Sequence, residues 1–234
     1  MVGFQTALTA AIVVAVTSST GAGALHLPAA SVIAVGRGPA VVGSGRIVSQ
    51  RRPVGNFRTI EVRDAADVAV RVGPRQSLVV TTDDNLLPLI RSQIRNRDKL
   101  VVESVGSYRT ARAPRITITV PRLAAFALRG SGDAVIEGVN GDSLALAIAG
   151  SGDIRARGRT GSLSVAINGS GDVDARQLVS RNAAVVISGS GDATVRASGA
   201  LTGVTQGSGT VNYIGRPAMI SVRTAGAGSV RQAR

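Results

Sequence analysis

Leu144-Ala-Leu-Ala-Ile-Ala-Gly-Ser-Gly-Asp153 returns as Leu163-Ser-Val-Ala-Ile-Asn-Gly-Ser-Gly-Asp172, and again as Ala183-Ala-Val-Val-Ile-Ser-Gly-Ser-Gly-Asp192. An earlier copy ends at Gly130-Ser-Gly-Asp133. Two degenerate ones follow, Gly207-Ser-Gly-Thr210 and Gly226-Ala-Gly-Ser229. From copy to copy the first glycine advances by 20, 19, 20, 18 and 19 residues. A fixed period of this length marks a solenoid, in which each repeat covers the apolar face of the next.

Inside each period the apolar residues alternate. The columns are Ala124/Phe126/Leu128, Leu144/Leu146/Ile148, Leu163/Val165/Ile167 and Ala183/Val185/Ile187, with weaker rows Leu201/Gly203/Thr205 and Ile220/Val222/Thr224. After the corner come Ala134, Ile154, Val173, Ala193 and Val211. Alternation with period two is that of a half-buried strand. One strand before the corner and one after it make a coil of a parallel β-helix, so the fold class is all-β, with coils of about 19 residues. A leucine-rich repeat of similar length needs an Asn or Cys column and a helical return, and neither is present. Gly130, Gly132, Gly150, Gly152, Gly169, Gly171, Gly189 and Gly191 fall in phase with the inward columns, where a tight corner leaves no room for a side chain. Asp133, Asp153, Asp172 and Asp192 then face outward or bond the backbone of their own turn.

Outward from the repeats, residues 56–121 read as a less regular first block of one β-helical domain spanning 56–232, with the repeats proper at 122–229. Alternating runs at Phe57–Val62, Asp67–Val72, Ser77–Val80, Leu100–Val102 and Ile116–Val120 predict strands. Asp83-Asp84-Asn85 before Leu86-Leu-Pro-Leu-Ile90 predicts one short helix with an acidic N-cap. Residues 25–55, rich in Pro, Gly and Arg, read as a linker or loose leading segment. The uncharged run Ala7–Val16 and the Ala22-Gly-Ala24 that follows have the form of a secretory signal peptide over 1–24, although no Lys or Arg precedes the run. Ten residues are too few to span a bilayer, so no transmembrane span is expected. The expected location is outside the cytoplasm: periplasm, cell surface or medium.

Phe57-x-x-Ile60-x-Val62, Asp83-Asp-Asn-Leu-Leu87 and the stacked Gly-Ser-Gly-Asp copies together resemble the putative auto-transporter adhesin head GIN domain family, over about residues 56–215. The resemblance implies a bacterial, exported β-helical domain. The family name suggests adhesion, and the family offers no catalytic residues to carry over.

Composition removes several chemistries. The 234 residues contain no Cys and one histidine, His26. Disulfides, Cys/His zinc sites and histidine-based nucleophilic triads therefore have no residues to build them in the body of the chain. Net charge is +13, and only Lys99 among the 27 basic residues is lysine. Five aromatic residues are too few for base stacking and no DNA-binding motif is present, so nucleic acid is not an expected partner. The Asp column would place carboxylates one rung apart, a repulsion of roughly 0.8 kcal/mol at about 5 Å in water. Solvent, backbone N–H, Arg or a cation must relieve it. Calcium β-rolls repeat their Gly/Asp motif every nine residues, half the period found here, so turn capping is the favoured role and no metal or other cofactor is expected. Four residues beyond each Asp stand Glu137, Arg157, Arg176 and Arg196. The three arginines predict a basic strip on consecutive coils, suited to an anionic surface polymer. The overall expectation is an exported, non-enzymatic binding or structural module, with that polymer or another envelope protein as partner. The alternatives are a polysaccharide-acting enzyme on a β-helix, for which Asp172 and Asp174 are the candidate carboxylates, or a cation-binding solenoid.

Overall fold

The computed structural model describes residues 40–233, and the expected signal peptide lies outside them. Strand is the dominant element: one continuous 15-stranded, mostly parallel sheet wraps around one apolar interior, and its two facing halves are called the first and second sheets. The repeats supply four long strands, β11 (Ala134–Gly150), β12 (Ile154–Gly169), β13 (Val173–Gly189) and β14 (Ala193–Gly207). Each begins in the second sheet, turns a bulged corner and ends in the first. The Gly-Ser-Gly-Asp corner then returns the chain to the second sheet.

Both sets of inward columns are in register. Leu144 pairs with Leu163 and then Ala183, Ile148 with Ile167 and then Ile187, and Ala134 with Ile154, Val173 and Ala193 in turn. All are buried. The first glycines pair in a line, Gly130 to Gly150, Gly169, Gly189 and Gly207. A Cβ on Gly171 would lie 2.1 Å from the carbonyl oxygen of Gly152, and the same clash recurs at Gly152 and Gly191. The first glycine of each corner has positive φ as well, 143° at Gly150 and 136° at Gly169. Glycine is therefore needed because one tight corner sits directly on another.

The first block continues the same two sheets, out of chain order. β3 (Thr59–Arg63) and β4 (Asp67–Val72) form a coil that stacks on β10 (Ala125–Gly130) and the start of β11. β7 (Lys99–Ser104) and β9 (Arg115–Val120) form the next coil out. Beyond these, β5 (Ser77–Asp83) and β6 (Ile90–Arg95) run antiparallel to β9 and β7 and close this end. Leu86 and Ile90 are buried there. At the opposite end β15 (Thr210–Ile214), β16 (Met219–Ala225) and β17 (Ser229–Gln232) complete the stack.

One expectation needs correction. The short helix is a single 3-10 turn, Leu87–Leu89, preceded by Leu86 with no side-chain cap. The acidic residues before it bind elsewhere, as set out below. Within 25–55, β1 (Val41–Val42) pairs with β8 (Tyr108–Arg109), and β2 (Ile47–Arg52) pairs antiparallel with β5. Arg52 anchors that strand: its guanidinium donates to the carbonyls of Ile90 and Leu87, the latter at 2.9 Å. Burial lowers its pKa from the usual arginine value. These strands escape an alternation test because their outer residues include Ser, Gln and Arg on an edge with one neighbour.

Candidate functional site

At the Gly-Ser-Gly-Asp corner each carboxylate is committed to the backbone. Asp133 Oδ1 accepts the amide of Asp153 at 3.2 Å, Asp153 that of Asp172 at 2.9 Å, and Asp172 that of Asp192 at 2.7 Å. Asp192 accepts the amide of Thr210 at 2.7 Å. In the reverse direction Ala134, Ile154 and Val173 donate to the carbonyls of Asp153, Asp172 and Asp192. The aspartates thus staple each coil to the next, rather than capping their own turn. An amide left without a partner at this corner would cost about 1–3 kcal/mol if buried, which explains an acceptor at every rung. Asp174, the second of the two candidate carboxylates, is held by Arg176 at 2.8 Å. Among the described residues no cluster of three or more carboxylate or histidine side chains is placed to hold a metal ion.

The arginine strip is not a ladder. Arg157 pairs with Gln177 rather than Arg176, and Arg196 pairs with Val179. The cause is the variable period. Residues from the inward columns to just past Asp keep register, and the extra or missing residue is absorbed as a bulge immediately afterwards, between Arg155 and Arg157 and between Ala175 and Val179. The side chains are exposed, but each is engaged: Arg157 with Glu137 at 3.5 Å, Arg176 with Asp174, and Arg196 Nε with the carbonyl of Arg176 at 3.1 Å.

Positive charge accumulates elsewhere. Residues 40–122 hold fifteen basic and seven acidic residues, whereas 123–233 hold ten and seven. The widened corner between β7 and β9 exposes Arg109, Arg112 and Arg115, and none makes an ion pair with a described residue. The three arginines fall within seven residues of sequence, outside any repeat. Nearby, Tyr108 donates to the buried Asp64 at 2.8 Å. Burial, then the adjacent Asp64 charge and their shared hydrogen bond, push the Tyr108 hydroxyl pKa well above its ordinary value. On the outer face of the first sheet, buried Glu61 collects Arg63 at 2.6 Å, Arg129 at 3.0 Å and Lys99 at 3.2 Å. Burial alone would raise its pKa, but the hydrogen bonds and charges of Arg63 and Lys99 outweigh that and hold it below the usual glutamate value.

Asp83-Asp84-Asn85 is a clamp. Asp83 accepts from the Gly45 amide at 2.7 Å and from Thr110 Oγ1 at 2.6 Å. Asp84 accepts from Ser44 Oγ at 2.6 Å, which together with the Asn85 amide and Arg46 keeps its pKa below the ordinary aspartate value. Asn85 takes the Ser44 amide at 2.9 Å and donates to the Val42 carbonyl at 2.8 Å. Three side chains thereby hold the 42–46 segment, and Asp83 also reaches the arginine-bearing corner.

The clamp and the stapled corners lie within a family match over residues 56–217, to "Putative auto-transporter adhesin, head GIN domain". The chain belongs to that family. Solved structures share the fold of this head GIN domain at low identity. A putative adhesin from Bacteroides fragilis is 20% identical, with a TM-score of 0.68 over 83% of this chain and 100% of its own. A putative lipid binding protein from Parabacteroides distasonis is 21% identical, with a TM-score of 0.55 over 84% of this chain and 100% of its own. A putative adhesin from the same organism is 20% identical, with a TM-score of 0.53 over 83% and 100%. No curated protein matches the chain. No helix among the described residues of this head GIN domain is long and apolar enough to cross a membrane.

Proposed function

We propose that this head GIN domain is an exported, non-enzymatic binding module that docks on an anionic polymer of the bacterial envelope through the basic corner at Arg109, Arg112 and Arg115. The observation that carries the reading is the unpaired, exposed charge of that corner, in a block with a twofold excess of basic over acidic residues. Guanidinium groups suit carboxylate or phosphate partners because they donate in a fixed bidentate geometry. The clamp of Asp83 on Thr110 restrains the corner, so less conformational freedom is lost on binding. The signal-peptide form of residues 1–24 supports export, and the adhesin-like family supports a surface partner. The aspartates of the repeat corners act structurally in this reading, and the exposed Arg157, Arg176 and Arg196 contribute only to the general field.

The test is retention on an immobilised anionic polysaccharide across a salt series. Exposed charges are screened over about 8–10 Å at physiological ionic strength, so wild type should elute early as salt rises. Replacing Arg109, Arg112 and Arg115 by Ser should abolish most retention. Replacing Arg157, Arg176 and Arg196 by Ser should shift elution only slightly. Equal loss in the two triple variants, or no retention of wild type, overturns the assignment.

A further inference from the structure

The two ends of the solenoid are finished differently. At the first end β5 and β6 extend the two sheets as antiparallel strands, and Leu78, Val80, Leu86 and Ile90 are buried there. At the other end, β16 pairs only with β14, and β17 only with β15. Their outer backbone edges have no strand partner among the described residues.

The last coil nevertheless keeps the inward pattern of the coils beneath it. Ile220, Val222 and Thr224 stand in register with Leu201, Gly203 and Thr205. Leu201 and Thr205 are buried, whereas Met219, Ile220 and Val222 are 69%, 48% and 45% exposed. Across the interior, Val230 fills the space above Gly203, where an added Cβ would lie 3.1 Å from Val230 Cγ2. Thus Val222 and Val230 are the tops of an unfinished core. Natural edge strands are blunted by shortness, edge charges, inward charges, proline, bulges or a covering segment, and of these the last coil has the four-residue length of β17 and the outward Arg223 and Arg231. Neither β16 nor β17 contains an inward charge or a proline, and Pro217 precedes both.

Charge selects the occupant. No Asp or Glu follows Asp192, while Arg196, Arg216, Arg223 and Arg231 do. Arg223 lies on the outward face of β16, and Arg231 on that of β17, where its Nε donates to Asn212 at 2.9 Å. A second copy would gather these arginines at one junction with no acidic residue to offset them. An extended segment that alternates apolar and acidic residues would instead lie along β16, cover Ile220 and Val222 and place carboxylates beside Arg223.

We infer that β16, the outer strand of the open coil at 219–232, is a strand-addition site for an acidic, alternating polypeptide segment, which would add the next strand to that face of the solenoid. Main-chain hydrogen bonds would supply affinity, and side-chain phase and charge would supply selectivity. This surface is separate from the Arg109 corner, and the inference does not depend on it.

The experiment is fluorescence anisotropy of the full chain with a labelled heptapeptide of alternating glutamate and valine, against the same peptide with lysine for glutamate. The acidic peptide should bind about tenfold tighter at moderate salt. R223E should reverse that preference without changing the melting temperature, because its side chain faces outward, and R231E, on the opposite face, should leave the preference in place. I220Q/V222Q should weaken the acidic peptide severalfold, with the same melting check. Equal binding of the two peptides overturns the inference, as does an acidic preference unchanged in R223E. A concentration-dependent dimer in sedimentation that is lost in I220Q/V222Q would assign the edge to a second copy and overturn it too.

Discussion

At Gly152, Gly171 and Gly191 an inward-facing corner position carries no side chain, while at Ala66, the equivalent position one coil earlier, it carries a buried methyl group. The two regions share sheets, register and interior. They differ in what lies beyond the corner. Each repeat corner sits on another corner of the same tight form, and the carbonyl of the coil before occupies the place a Cβ would take. Asp64-Ala-Ala-Asp67 instead faces the coil of β7 and β9, which turns through the long loop between Ser104 and Arg115. With no tight corner stacked there, Asp64 and Ala66 can keep their side chains. The Gly-Ser-Gly signature is thus a property of pairs of corners, and the wide corner that escapes it is where Tyr108, Arg109 and Thr110 are displayed.

Substitution at these two corners gives the largest expected contrast. Gly171→Ala should destabilise by about 4 kcal/mol or more, since the clash is with backbone and cannot be relieved by a rotamer change. Ala66→Gly should cost only about 1 kcal/mol, from one lost methyl and greater freedom of the unfolded chain. Denaturant midpoints of the two variants compare them directly. Similar losses would show that the repeat corner is looser than its geometry.

The same contrast sets what could be read from sequence. The inward columns were legible because their register never slips: Leu144, Leu163 and Ala183 pair in line, as do Ile148, Ile167 and Ile187. Arg157, Arg176 and Arg196 are exposed as the count from Asp expects, but they fall out of register because they lie one step past the point where the period stops being constant. Counting four residues beyond Asp assumes a ladder that the bulges break. Asp83-Asp84-Asn85 was read as a helix cap because capping and long-range clamping use the same short polar side chains, and only the position of Ser44, Gly45 and Thr110 distinguishes them. β6 was hidden by Ile90 and Ile94, spaced as on a helix face, in a strand that pairs with one neighbour only. The basic corner is contiguous in sequence, Arg109-Thr-Ala-Arg-Ala-Pro-Arg115, but it belongs to no repeat, and only the fold shows that Thr110 within it is held by Asp83.

A second contrast concerns the aspartates. Asp172 accepts the amide of Asp192, but Asp67, the residue at the same place in the first block, accepts no such bond from the coil that follows it. Asp172→Ala should therefore cost about 1–2 kcal/mol, the range for a hydrogen bond to a charged group at a partly exposed site. Asp67→Ala should stay within about 0.5 kcal/mol of wild type. Amide exchange sharpens the test: the Asp192 amide should lose protection in Asp172→Ala, and the Asp133 amide should be unchanged in Asp67→Ala. Equal effects at both sites would separate the aspartate column from the stapling role.

The smallest effect probes the outer face. Glu61 pairs in register with Ala127, which pairs with Ala147, and Ala147 with Ala166, so this outward position is Ala in three successive coils, Val186 and Val204 in the next two, and Glu in the first block. Only there do Arg63, Lys99 and Arg129 converge on it. Because these contacts depress the Glu61 pKa in the folded state, the unfolded chain binds its proton more readily than the folded chain does. Glu61 therefore stabilises the fold at pH values above the ordinary glutamate pKa of about 4.3, and that contribution fades as pH falls through the lower folded value. Glu61→Gln removes the titrating group and should cost about 1 kcal/mol at neutral pH, since Arg63 and Arg129 stay partly solvated and recover some hydration. The gap between wild type and variant should be constant from pH 7 to about pH 5 and shrink below about pH 4. Urea midpoints over that range measure it. A gap that widens in acid would mean the folded pKa is raised, so that burial rather than the three cations dominates at Glu61.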